Sequence, residues 1–208
     1  MHNRIRQYRL TLTGRVYALP SKPKMDKIIN IVGKAPGYGD APYEGEVWGA
    51  TQLIIYRWVS RVIDMNDYSD NKWGLDERYL ADLARKKAEE TNTPYMDLEN
   101  YPLDEIIEFF GTDFFTNTID YMLALAIYEG ATEINIYGVA MSTSVEYQYQ
   151  RPGLHFWIGY AMGKGIKVRV KGKDCTLLRA DLGRYEIMRP QNGLLYGYEI
   201  PQRIDRSK

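Results

Sequence analysis

The chain has 208 residues, 45% of them hydrophobic, with 27 basic and 27 acidic side chains and no formal net charge at neutral pH. That length and composition fit one globular domain with a sizeable core, and the charge balance excludes a protein whose main task is gripping bulk nucleic acid, leaving only a local basic groove for such contacts. Cys175 is the sole cysteine, no apolar run nears the roughly 20 residues of a membrane span, and the polar start MHNRIRQYRL has no signal-peptide core, so a soluble, disulfide-free chain of a reducing cytoplasm is expected.

In chain order, residues 1–26 stand apart. The segment YRLTLTGRVYAL alternates enough for a hairpin or an edge strand, suited to a homodimer contact, and Pro20 and Pro23 separate it from the rest of the chain. Residues 27–208 then read as a single α/β domain. Short apolar runs predict strands at 27–32, 46–48 and 59–64. Residues 76–91 have helical spacing, with Asp76 as N-cap and Tyr79, Leu80, Leu83 and Ala84 as the apolar stripe. PYMDL at 94–98 predicts a short strand, and 103–110 a helix stopped by Gly111.

The clearest helix covers 117–129, with Ile119, Met122, Leu123, Ala126 and Ile127 on one face and Gly130 placed to end it. EINIYGV at 133–139 predicts a strand, 153–162 a helix, and 167–171 the last strand. Strands separated by helices predict a doubly wound, mostly parallel Rossmann-like sheet with helices on both faces and an N-terminal β extension. Sheets of this kind bind ligands beyond the carboxyl ends of their strands.

Three stretches carry candidate chemistry. The first is IINIVGKAPGYGD at 28–40, whose glycines follow G-x-x-x-G-x-G, neither the dinucleotide fingerprint nor a P-loop. It reads either as a ligand loop, where backbone N–H groups approach a nucleotide, or as a tight turn whose glycines supply positive φ. The second is the helix start at Thr116, Asn117 and Thr118, which either caps the helix or favours an anionic ligand group at the positive end of its dipole. The third is GVAMSTSVEYQYQRPGLHFWIG at 138–159, read as a polar and aromatic loop dense in hydrogen-bonding groups: Glu146, Tyr147, Gln148, Tyr149, Gln150 and Arg151. His155 beside it suits either proton transfer at neutral pH or packing against Phe156 and Trp157.

Two glycine-containing blocks, IINIVGKAPGYGD and FFTNTIDYMLALAIYEGATEINIYGVAM, with EYQYQRP and the C-terminal LLYGYE, resemble a family of tailed-bacteriophage proteins. An I-V-G-x-x-P loop followed by T-x-[ST]-x-x-x-M-x-x-A-x-x-x-G-x-x-x-I-x-x-x-G is also similar to bacterial sialyltransferases that use CMP-sialic acid, and to the pterin-pyrophosphokinase-like (MptE-like) Rossmann group. The resemblance covers residues 27–200. It implies a cytoplasmic location in an infected bacterial host, a nucleotide or nucleotide sugar as ligand and no separate cofactor. It implies two alternative roles: a metal-independent inverting glycosyltransferase acting on phage DNA bases or another acceptor, or a non-catalytic binder that sequesters a nucleotide-derived host defence signal.

Carried residue by residue, the transferase resemblance places Gly33, Ala35, Pro36 and Gly37 against the nucleotide's phosphates or ribose, and Thr116, Asn117 and Thr118 against the nucleotide or donor sugar; Lys34, Gln150 and Arg151 are further candidate ligand contacts read from the residues themselves. Tyr147 or Tyr149 would stabilise the departing phosphate and His155 would deprotonate the acceptor. The chain departs from that pattern: Asn117 and Thr118 replace Ser-Gly or Ser-Ser, Ala140 replaces an aspartate, and Lys34 and Gly37 replace the residues flanking the loop proline. Lys34 and Ala140 favour the binder; His155 and the tyrosines favour the enzyme. The acidic stretch DMNDYSDN at 64–71 lacks the glycine and oxygen spacing of a calcium loop, so a solvated turn is expected there and no metal site.

Overall fold

The computed structural model describes residues 8–10, 16–18, 26–69, 74–141, 145–171 and 177–178, with the backbone alone at 8–10, 16–18 and 145–148. Near the N-terminus, β1 (Tyr8–Leu10) and β2 (Val16–Ala18) pair antiparallel in a sheet of their own.

The main sheet contains β3 (Ile28–Val32), β4 (Glu46–Ala50), β5 (Arg61–Asp64), β6 (Tyr95–Asp97), β7 (Glu133–Tyr137) and β8 (Lys167–Val170). Their order is β6-β5-β4-β3-β7-β8 and every pairing is parallel. The chain winds outward from β3 to the β6 edge, then crosses back to β7, so the direction of winding reverses between β3 and β7. This is the doubly wound α/β architecture that alternating strands and helices predict.

Side chains alternate between the two faces of each strand. Ile29, Ile31, Trp48, Ala50, Ile63, Ile134 and Ile136 join one apolar cluster, covered by α3 (Leu103–Phe110), α4 (Thr118–Tyr128) and α5 (Val145–Gly163). Val32, Val47, Val62 and Tyr137 join the other, against α1 (Leu53–Tyr56) and α2 (Leu75–Glu90). α4 buries Ile119 and every residue from 122 to 127, because it lies between the sheet and its helical neighbours rather than at the surface. Truncating Ile31 or Ile134, each fully buried, to alanine would cost about 2–5 kcal/mol. The β6 edge is closed by Asn100, whose side-chain oxygen accepts from Asp97 N–H (3.0 Å) while its Nδ2 donates to the Tyr95 carbonyl (3.1 Å). A side-chain amide thus occupies the outward ladder positions that would otherwise invite another strand.

Two helices differ from expectation. In α2 the buried residues are Ala81, Ala84 and Ala88, whereas Tyr79 is exposed, and the cap is Gly74, with Asp76 in the first turn. Small side chains let α2 lie close to α1 and the sheet, so the contact face follows alanines rather than the large apolar residues. α5 begins at Val145, so the stretch expected to be a polar loop forms its opening turns. Pro152 lies inside that helix, a position that ordinarily costs about 3 kcal/mol or more, and it is tolerated where α5 is fastened to the start of α4. The stops at Gly111 (φ 69°) and Gly130 (φ 81°) fall where predicted, both in the left-handed region that glycine enters without strain.

Candidate functional site

At the carboxyl edge the loops after β3 and β7 pack on each other. Gly33 N–H donates to the Tyr137 carbonyl (2.9 Å) and Ala35 N–H to the Gly138 carbonyl (2.8 Å). A Cβ on Gly33 would lie 2.5 Å from the Gly138 oxygen, and one on Gly138, at φ 60°, 2.8 Å from the Tyr38 Cβ. Backbone-to-backbone contact therefore accounts for glycine at 33 and 138, and a left-handed φ of 96° accounts for Gly37, which opens a short 3-10 turn over Tyr38–Asp40. Of the two sequence readings of this loop, the turn explains these glycines without a ligand. Lys34 projects from the loop and its ammonium donates to Gln52 Oε1 at 2.6 Å. Burial of that end pulls the Lys34 amine below its ordinary value, against the opposing pull of Asp64 and Glu77.

Beside Lys34, the ends of β4 and β5 meet around Asp64, which is 1% exposed. Its carboxylate accepts from Thr51 Oγ1 (3.2 Å), Asn66 N–H (3.3 Å), Asn66 Nδ2 (2.7 Å), Tyr68 OH (3.2 Å) and Tyr95 OH (2.7 Å). Hydrogen bonds to a charged acceptor contribute roughly 1.5–3 kcal/mol each, and this set offsets the loss of water around the ion. Burial, then the neighbouring Asp64 charge, raises both Tyr68 and Tyr95, so the phenols stay protonated as donors. The solvated turn expected at 64–71 is thus corrected at its first residue: Asp64 ends a buried strand and is caged. Asp70 and Asn71 lie outside the described residues. Among the described residues no group of three or more His, Cys, Asp or Glu side chains is placed to hold a metal ion.

On the other face, α4 begins against α5. Asn117 is the N-cap, and its side-chain oxygen accepts from Ile119 N–H (2.9 Å) and Asp120 N–H (3.2 Å). Those amides are therefore used by the chain itself, which is the capping reading of this helix start. Asp120 is fully buried; its Oδ2 accepts from Thr116 N–H and Thr116 Oγ1 (both 2.8 Å), and its Oδ1 has no hydrogen-bond partner. Burial pushes its carboxyl up to about 6, against the hydrogen bonds from Thr116 that pull it down. Thr116 Oγ1 also lies 2.7 Å from the Gln150 carbonyl, which accepts from Asn117 Nδ2 at 3.2 Å. A Cβ on Gly153 would come within 2.3 Å of both Asp120 Oδ2 and Thr116 Oγ1, so the closest approach of α5 to α4 requires glycine there.

The structure thus joins Thr116 and Asn117 to the Gln150 backbone, with Thr118 in the first turn of α4 and Arg151 partly buried in α5. Tyr149 is 76% exposed, and the side chain of Tyr147 lies outside the described residues. His155 is not brought to that junction. It stands two residues beyond Gly153, about 200° around the helix, and its Nε2–H donates to the Leu177 carbonyl at 2.8 Å. Pro36 is exposed and Ala35 partly buried beside Lys34.

Sequence reasoning missed Thr51, Gln52, Asp64, Asn66, Tyr68, Tyr95, Asp120 and Gly153. A signal for Asp120 was present: Asn117 and an acid three residues on is a capping-box spacing. For Asp64 it was an acid closing an apolar strand with Asn66 and Tyr68 just after.

A scan against known protein families matches none, and no curated protein matches. Among solved structures the chain is similar to the sialyltransferase CstII from Campylobacter jejuni in complex with the substrate analogue CMP-3FNeuAc, at 14% identity over 73% of this chain and 82% of that one, with a TM-score of 0.32.

Proposed function

We propose that this chain binds a nucleotide-derived small molecule at the carboxyl edge of its sheet and acts as a metal-independent, nucleotide-sugar-dependent glycosyltransferase. The observation that carries the binding part of this reading, shared by enzyme and binder, is Lys34: its ammonium stands at the strand ends, held by the neutral Gln52, with no carboxylate in ion-pair distance among the described residues. A cation so held keeps N–H donors for a ligand phosphate, in the region where doubly wound sheets take their ligands. Lys34 follows β3, one of the two strands between which the winding reverses, and this supports the carboxyl edge there as the ligand region. Inverting transfer needs donor and acceptor held in line and donors aimed at the departing phosphate.

A second reading is favoured by the place of His155. With its Nε2–H committed to the Leu177 carbonyl and its place on α5 about 200° around the helix from Gly153, the imidazole is not held by the Thr116 junction. The same sheet edge then captures a nucleotide derivative without turning it over. Thermal unfolding with CMP, UMP, CMP- and UDP-sugars, NAD, ADP-ribose and cyclic nucleotides tests binding, since a ligand at a hundredfold its Kd adds about 2.7 kcal/mol. Consumption of a stabilising nucleotide sugar, lost in His155→Ala, supports the transferase. Stabilisation without consumption supports capture, and no stabilisation by any member of the panel overturns both.

A further inference from the structure

We infer that Thr51 and Asp64 are positioning residues that, through Gln52, hold the Lys34 ammonium at the carboxyl ends of β3 and β4 to receive a phosphate or diphosphate group. The identity of the anion as part of a nucleotide rests on the function proposed above; the positioning itself stands on the geometry.

Thr51 is buried and follows β4 with φ 45°, a left-handed backbone that a β-branched residue enters only under strain. Such strain costs about 1–3 kcal/mol and persists only where the surroundings over-determine it. Here they do. Thr51 N–H donates to the Ile63 carbonyl (3.0 Å), its hydroxyl donates to Asp64 Oδ1 (3.2 Å), and Asn66 Nδ2 reaches the same hydroxyl (3.3 Å). Asp64 is in turn fixed by donors from Asn66, Tyr68 and Tyr95, the last of them on a different strand.

The residue this forces into place is Gln52. It is 8% exposed, its carbonyl accepts from Ile55 N–H (3.1 Å), and its side-chain oxygen is the Lys34 partner. Glycine at 51 would adopt the same backbone freely, so a strained threonine there retains something glycine lacks: a hydroxyl tied to Asp64. Asp64 cannot itself be the ligand contact, because five donors surround a carboxylate that is 1% exposed. Its effect reaches the ligand only through the order Asp64, Thr51, Gln52, Lys34.

The test compares Thr51→Gly, Thr51→Asn, Asp64→Asn and Lys34→Ala in the full chain. Asparagine tolerates the left-handed region and keeps a side-chain donor, so it is the conservative rescue. Titration of the 13C-methylated Lys34 amine by NMR needs no ligand: Thr51→Gly should move it up toward an ordinary lysine as the amine leaves Gln52, and Thr51→Asn should leave it in place. Calorimetric titration with inorganic pyrophosphate and with CMP should show at least a tenfold loss of affinity in Thr51→Gly, Asp64→Asn and Lys34→Ala, and less than threefold in Thr51→Asn, with Thr51→Gly melting no lower than the parent. An unmoved Lys34 titration with parent-like pyrophosphate affinity in Thr51→Gly overturns the inference, whether or not nucleotides bind. Pyrophosphate binding that needs Lys34 and Thr51, without binding of any member of the nucleotide panel, upholds it and sinks the proposed function; binding of neither pyrophosphate nor any member of that panel by the parent chain sinks both.

Discussion

The two ends of α4 each hold one carboxyl group and treat it oppositely. Asp120, in the first turn, has only neutral donors around it, and burial pushes it up to about 6. At Glu129, the C-cap, burial also pushes upward, but hydrogen bonds and charge from Lys27 (2.7 Å) and Arg61 outweigh it and hold the carboxyl below its ordinary value. The helix dipole alone would favour an acid at the first end and oppose it at the second. Desolvation and pairing reverse both outcomes, so local partners decide over the macrodipole. The amino edge of the sheet is braced by ion pairs; the carboxyl edge buries carboxyl groups among hydroxyls, amides and phenols.

The largest test of this contrast is Asp120→Asn. With a folded value near 6 against 3.8 for the free group, the native chain holds more protons between about pH 4 and 6. Stability from Asp120 is therefore present below pH 4 and lost as pH rises through 6, on the order of 3 kcal/mol. The difference in unfolding free energy between the parent and Asp120→Asn, followed by denaturant titration from pH 4 to 7, should show that fall; a flat difference breaks the comparison.

Gly153→Ala comes next. A methyl group 2.3 Å from Asp120 Oδ2 and Thr116 Oγ1 must separate α5 from α4, with an expected loss of about 1–3 kcal/mol despite the better helix propensity of alanine. Asp120→Asn should not relieve it, because the clash is steric; its rescue would show that the contact is electrostatic.

Glu129→Gln should have the smallest effect and the opposite pH sign. The carboxyl is partly exposed, which discounts its pairs, so a loss under about 1 kcal/mol is expected. Its contribution is present above the ordinary carboxyl range and fades as pH falls through the depressed folded value. A contribution that grew on acidification would contradict the pairing with Lys27 and Arg61.

The fold was legible where periodicity and stop signals agreed. Strands at Ile28–Val32, Glu46–Ala50 and Glu133–Tyr137 follow from short apolar runs, and the glycines ending α3 and α4 from helical periodicity and positive φ. The opening turns of α5 were not legible, because Pro152 and Gly153 are local helix breakers whose cost is offset only by contacts to Thr116, Asn117 and Asp120, 33 or more residues earlier in the chain. The α2 contact face was legible at Ala84 but not at Tyr79, for a related reason: which side of a helix is buried depends on how closely its partner approaches. At the candidate site, Lys34 was legible as a cation in a loop after the first main-sheet strand. The cage behind it was not, since Thr51, Asp64 and Tyr95 meet only through the parallel pairing of β4, β5 and β6.

The central claim is that Lys34 meets a nucleotide-derived anion at the carboxyl edge. Calorimetric titration of the full chain and of Lys34→Ala with each member of the nucleotide panel used for thermal unfolding tests it most directly. Saturable binding of at least one member by the parent, weakened at least tenfold in Lys34→Ala with its melting temperature unchanged, is the predicted result; no binding of any member, or binding indifferent to the loss of Lys34, would contradict it.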